Sequence, residues 1–308
     1  MTPPVAAANT NHRLSPKGNY PVPHHHHCPP DAFHRSWDKR LPPVLSVELG
    51  DTVTFSTSDA LDGVMEPPDW ATPHPPTRDR GTQPTIPRGH PLSGPVAVRG
   101  ACPGDVLVVE VLEIALAEWG WTATGDHGVL GATVTDHTHI QWDLRGPWAV
   151  PSPPLAHPIR VPMQPFCGVM GVAPGEDGEQ STIPPRAVGG NLDVRRLVAG
   201  STLFLPVAVD GALFSCGDVH AAQGDGEVSG TGIECAATVT VPFDARRDME
   251  ITGPAFIAPA PRPLGHWFGV TGIGPDLMGA TRQAVQRMPA RSAAAAGARP
   301  SASRSRWV

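Results

Sequence analysis

The stretch Phe214-Ser-Cys-Gly-Asp-Val-His-Ala-Ala-Gln-Gly-Asp-Gly-Glu227 lies between two apolar runs, Leu203–Leu213 and Ile233–Pro242. Both runs are short, and Val, Ile and Thr recur in them with Gly, Pro and Asp as punctuation. That pattern reads as buried strands. Between them, Asp218, His220, Gln223, Asp225 and Glu227 are separated only by Val, Ala and Gly. Small spacers permit sharp turns and close backbone approach. A polar turn between strands needs no such concentration of acid, base and ligand groups, whereas a site does.

The rest of the chain agrees with a strand-rich reading. Proline makes up 38 of 308 residues, far above the usual ~5%, and proline at that density breaks helices and marks turns and strand edges. Val44, Ser46 and Glu48 alternate with Leu45, Val47 and Leu49, and Thr52–Thr57 alternates again after Gly50-Asp51, which predicts two short strands joined by a turn. Pro103-Gly104-Asp105 repeats the device ahead of Val106–Ile114, an apolar run that predicts a strand buried on both faces. Two such units imply two β layers or a weak internal duplication. Gly63–Pro95, Trp119–Gly131 and Pro147–Pro165 read as loops. One helix is predicted, opened by Gly274-Pro-Asp276, carrying Leu277, Met278, Thr281, Ala284, Val285 and Met288 at helical spacing, and ended by Pro289. The expected fold is therefore mainly β, with two packed sheets or barrel-like layers, long Pro-rich loops and one C-terminal helix. Residues 1–30 are expected to form a disordered arm, 31–288 the β-rich domain, and 289–308 a disordered Ala/Arg/Ser tail. The arm contains His24–His27, a biased run able to bind metal opportunistically.

A formal net charge of -6 gives no reason to expect nucleic acid or an anionic membrane as partner. Val5–Ala8 is too short for a signal-peptide core, and Leu197–Phe214 is interrupted by Gly200, Pro206, Asp210 and Gly211, so neither export nor a membrane span is expected and the cytoplasm is the expected location. The five cysteines are dispersed without a Cys-x-x-Cys pair and predict neither a disulfide framework nor a zinc ribbon. The only lysines are Lys17 and Lys39, both near the N-terminus. That disfavours a phosphate-binding loop and hydrolytic schemes that depend on a core lysine. Ser215 lacks the first glycine of a nucleophile elbow.

What remains is water activated by a metal or by a carboxylate. Asp218 and His220 are two residues apart, so on a strand they share a face and suit paired ligation of a divalent metal. Asp225 and Glu227 repeat that spacing, and either could supply the base. His34 and Asp59 are candidates to complete the ligand set.

Several ordered segments resemble the acetamidase/formamidase family. They include Gly211-Ala-Leu-Phe-Ser-Cys-Gly-Asp-Val-His-Ala-Ala-Gln-Gly-Asp-Gly-Glu-Val-Ser-Gly-Thr-Gly-Ile-Glu234, Gly189-Gly-Asn-Leu-Asp193, Pro165-Phe-Cys-Gly168, His90-Pro-x-x-Gly-Pro95, Gly120-Trp-Thr122 and His34-x-x-Trp37. The resemblance implies a β-rich fold, hydrolysis of short linear amides such as formamide and acetamide to carboxylate and ammonia, and homo-oligomers. On that reading a divalent metal, zinc by preference, sits at Asp218 and His220, with His34 and Asp59 as further ligands. Asp225 or Glu227 moves the proton. Gln223, Asn191 and Asp193 hold the amide, and Trp37, Trp121 and Phe166 shape a small dry pocket. The resemblance stops near Met288, where family members continue. That is the pattern of a truncated or frame-shifted end, and it makes a degenerate, non-catalytic ligand- or partner-binding protein the alternative function.

Overall fold

The computed structural model describes residues 22–68, 70, 78–79, 89–125, 128–129, 131–134, 137–261, 263 and 265–295. The chain forms an 8-stranded and a 12-stranded sheet plus a two-stranded ribbon, with a single α-helix, Leu277–Ala295, among the described residues.

The 8-stranded sheet runs in the order His25–His27, Thr52–Thr57, Ala237–Arg246, Val106–Glu110, Thr202–Pro206, Ala255–Pro259, His266–Val270, with Glu113–Leu116 also paired to Ala237–Arg246. At the centre of the 12-stranded sheet, Phe214–His220 is flanked by Phe166–Gly171, Glu234–Cys235 and Leu92–Arg99. The sheets pack face to face over one core. Phe214 of the larger sheet makes edge contacts with Phe55 and Phe243 of the smaller, at ring-centroid distances of 5.7 and 5.1 Å. Val106 faces one apolar cluster and Leu107 another, so the first part of the expected strand is covered on both faces, but it ends at Glu110 and Glu113–Leu116 forms a separate strand with alternating exposure.

The two Gly-Asp units are not hairpins. Leu45–Glu48 lies in the 12-stranded sheet, parallel to Leu92–Arg99, whereas Thr52–Thr57 lies in the other. Leu92–Arg99 and Val106–Glu110 are likewise split between sheets. Each unit is a corner where the chain changes layer, and the two corners share one hydrogen-bond pattern. Gly50 N–H donates to Phe243 O and Phe243 N–H to Asp51 O; Gly104 N–H donates to Val207 O and Val207 N–H to Asp105 O. Asp51 and Asp105 each accept from the backbone three residues earlier, at Glu48 and Cys102. Both glycines have φ of 94°, a region costly for a residue with a Cβ.

Three further expectations change. His25–His27 is a strand, because its backbone pairs in parallel with Thr52–Thr54 and His26 meets the Asp51 carboxylate at 3.0 Å. A backbone ladder orders this segment without any hydrophobic period. Trp119–Thr124, Trp148–Pro151 and Val161–Pro162 are strands inside stretches read as loops, and Leu92–Arg99 begins inside another, whereas Asp126, His127 and most of residues 69–88 lie outside the described residues. The helix, capped by Asp276 Oδ1 accepting from Gly279 N–H, continues through Pro289 to Ala295. Proline removes its own amide from the ladder, but the Ala-rich residues that follow are the strongest helix formers. The remainder of the expected tail, and residues 1–21 of the arm, lie outside the described residues.

Candidate active site

Phe214–His220 is buried along its whole length and delivers Asp218 and His220 to the centre of the larger sheet. Asp218 adopts φ of 57° within the strand, an outlying conformation for a non-glycine residue and one that clusters at functional sites. A Cβ on Gly168 would stand 2.8 Å from both Asp218 Oδ2 and Asp193 Oδ1, so the missing side chain is what makes room for the two carboxyls.

Around His220 the two ring nitrogens face different partners. Nδ1 lies 2.7 Å from Gln223 Oε1 and 3.9 Å from Asp193 Oδ1. Because the Gln223 amide nitrogen donates to Asp193 O at 3.2 Å, its oxygen is the end that faces the ring, and Nδ1 carries the hydrogen. Nε2 faces two carboxyls, Glu234 Oε2 at 3.0 Å and Asp218 Oδ1 at 3.5 Å. Glu234 reaches this point from the neighbouring strand, as the direct cross-strand partner of His220. Its other oxygen accepts from Gly232 N–H at 2.7 Å. Phe166, the partner of His220 on the other side, sets its ring edge-on to the imidazole at 5.1 Å.

Burial and neighbouring charges compete at each group here. Burial pushes Asp193 up to about 8, with the Asp218 charge adding to the effect, and Glu234 up to about 7. It also raises Glu227. Burial opposes the Asp218 carboxylate too, but the charges of His90 and His220 outweigh it and hold Asp218 well below the usual carboxylate range. For His220, burial favours the neutral ring, yet the carboxylates of Glu234 and Asp218 win and hold it well above its ordinary value.

Two overlapping sets of ligand atoms lie within 4.8 Å of one another: Asp218, His220 and Glu234, all buried, and Asp193, His220 and Glu227, which is half-open. His220 Nε2, Glu234 Oε2 and Asp193 Oδ1 are buried without a hydrogen-bond partner among the described residues. Orphaned buried polar atoms call for an explanation, and one nitrogen with carboxylate oxygens is a donor set that suits zinc. These residues fit a divalent metal.

Several expected site residues stand elsewhere. His34 donates from Nδ1 to Ser36 O and accepts from Ser215 Oγ, each at 2.8 Å, and burial pushes its pKa down to about 4. Asp59 accepts from Leu61 N–H, Gly63 N–H and Trp121 Nε1–H, and so pins a loop and the Trp121 indole. Neither residue joins the ligand sets. Asp225 is exposed and ion-paired with Arg195, which lowers its pKa, so it lies outside the cluster that contains Glu227. Trp37 packs with Leu92 and Val169 in the core, and Asn191 donates to Ile183 O. The structure adds Glu234, which sequence reasoning gave no role. Its signal was a carboxylate opening the apolar run Ile233–Pro242.

A buried imidazole among four carboxyl groups in a two-sheet β protein is an arrangement able to activate water for hydrolysis. The chain belongs to the Acetamidase/Formamidase family, whose model matches residues 23–181 and 176–298, ten residues beyond Met288. It is an amidohydrolase of that family, acting on carbon–nitrogen bonds of linear amides. Among similar proteins, the acetamidase of Mycolicibacterium smegmatis is 29% identical over 79% of this chain and 74% of its own length. The formamidase of Methylophilus methylotrophus is 27% identical over 70% of this chain and 64% of its own length. The crystal structure of an acetamidase from Bacillus halodurans superposes with a TM-score of 0.76 at 30% identity, covering 87% of this chain and 84% of that one. No helix among the described residues is long and apolar enough to cross a membrane, and all five cysteines are free.

Proposed function

We propose that this chain hydrolyses short linear amides such as formamide and acetamide with metal assistance, and that Asp218, His220 and Glu234 hold the metal, zinc by preference. The observation that carries this is the buried convergence of His220 Nε2 and Glu234 Oε2 at 3.0 Å, neither atom satisfied by the protein. When bound, a divalent metal would polarise the amide carbonyl and lower the pKa of water. Gln223 holds the hydrogen on Nδ1, so that a metal displacing the Nε2 proton would meet the lone pair there, the role that outer partners play at histidine ligands. Glu227, half-exposed beside His220, is the base that takes the proton from water. Asp193, 3.9 Å from His220 Nδ1 and with its pKa raised by burial, is the group placed to pass a proton to the leaving ammonia. Phe166 walls the imidazole against water. Asp225, Asn191, Trp37 and Trp121 support the surrounding fold.

Ammonia release from formamide and acetamide, before and after exhaustive chelation, tests this directly. Activity is expected to fall by at least about a hundredfold on metal removal and to return with zinc. Undiminished turnover in metal-free protein would sink the metal role, and no turnover under any metal would favour the ligand-binding alternative.

The same reading includes a homo-oligomer. Leu277, Met278 and Val285 of the helix are 85%, 58% and 64% exposed, and His266–Val270 ends the smaller sheet with one edge unpaired among the described residues. Apolar side chains this exposed suit a second copy of the chain. Light scattering is expected to give a mass above that of one chain, reduced by Val285→Glu. A monomer in the native protein would refute it.

A further inference from the structure

Beside the site, a cleft of about 400 Å³ opens from Asp193 and Gln223, walled by Phe256 and Val270 and rimmed by Arg195 and Arg196. Clefts of about 300–1,000 Å³ take drug-sized ligands, so formamide or acetamide would leave most of this one empty. Its lining carries Arg195 and Arg196 against Asp193, which faces His220, and Asp225. Asp225 engages Arg195 through both carboxylate oxygens. Arg196 forms no ion pair among the described residues and feels Asp225 only through its charge. Its guanidinium instead lies over the Trp267 ring, 5.2 Å from the centroid. Stacking on an indole fixes the plane of a guanidinium and leaves its N–H edge free for two-point binding of a carboxylate.

We infer that the enzyme accepts linear amides bearing a remote carboxylate, that is, monoamides of dicarboxylic acids, with Arg196 as the group that reads the second carboxylate. This rests on the amidohydrolase reading of the adjoining site. The amide end lies toward Asp193 and the carboxylate end toward Arg196, with the apolar spacer against Phe256 and Val270. Hydrolysis adds water across the amide, breaks its carbon–nitrogen bond, and releases the dicarboxylate and ammonia.

Succinamate and isocaproamide are suitable probes, since an isopropyl group replaces the carboxylate at nearly constant shape. The ratio of their kcat/KM values is expected to favour succinamate by about tenfold or more and to shrink as salt is raised. Arg196→Gln should bring the ratio close to one, and Arg196→Lys should keep part of it. Arg196 is exposed, so neither variant should disturb folding. A ratio near one in the native enzyme, or a ratio that Arg196→Gln leaves unchanged, overturns the inference. Should no amide be turned over, the hydrolytic reading fails, and calorimetric titration with succinamate still decides this one. Binding weakened about tenfold by Arg196→Gln supports it, whereas absent or unaltered binding overturns it.

Discussion

Glu234→Gln is expected to lower kcat/KM for acetamide on the order of a hundredfold or more while leaving the fold intact. The substitution keeps size and shape. Gln can still accept from Gly232 N–H through the oxygen that does so now. What it loses is the charge at Oε2, the atom 3.0 Å from His220 Nε2, and in its place it offers N–H donors to a nitrogen meant to share a ligand. The cost to folding is small because glutamine keeps the Gly232 hydrogen bond and removes a charge that burial disfavours. Kinetics should be read together with metal content and melting temperature. Loss of activity and bound metal at an unchanged Tm places Glu234 in the site, whereas full activity removes it from the reaction.

The residues explain why some features were legible in sequence and others were not. Asp218 and His220 could be paired because strand geometry is local: two residues apart on one strand share a face. Glu234 comes from the next strand, and the pairing that sets it opposite His220 depends on sheet register, which spacing along the chain does not encode. Asp225 illustrates the converse error. It repeats the Asp218–His220 spacing with Glu227, but no strand runs through it, so periodicity does not govern its direction, and Arg195 draws it outward. The Gly-Asp corners were visible as turns because glycine and aspartate announce them. Alternating side chains assign faces but not sheet partners, so the split of each strand pair between layers was hidden. His34 and Asp59 were drawn into the ligand set by residue type alone, and their hydrogen bonds show structural duties instead.

That duty gives His34 a measurable signature in acid. Its Nδ1–H donates to Ser36 O and its Nε2 accepts from the Ser215 hydroxyl, so the neutral ring is fully satisfied. Burial lowers its pKa from 6.5 to about 4. Between those two values the unfolded chain binds a proton that the folded chain does not, so stability rises with pH across this window. The contribution is complete above about pH 6.5 and is lost progressively as pH falls towards 4. A shift of this size corresponds to about 3 kcal/mol. Other groups titrate in the same range with the opposite sign: Asp193 and Glu234, whose pKa values are raised, favour the folded state more as pH falls. The informative quantity is therefore the difference in unfolding free energy between native protein and His34→Gln, followed by urea denaturation from pH 7.5 to 4. That difference should shift against the native protein by about 3 kcal/mol over the interval. A difference that stays constant with pH would mean that His34 titrates normally and that its bonds do not hold it neutral. The consequence reaches the active site, because Ser215 lies three residues before Asp218 on the same strand, and the pairing of Phe33–His34 with Leu92–Ser93 backs that strand through Cys216 and Gly217. Protonating His34 weakens the outer support of the strand that carries Asp218 and His220.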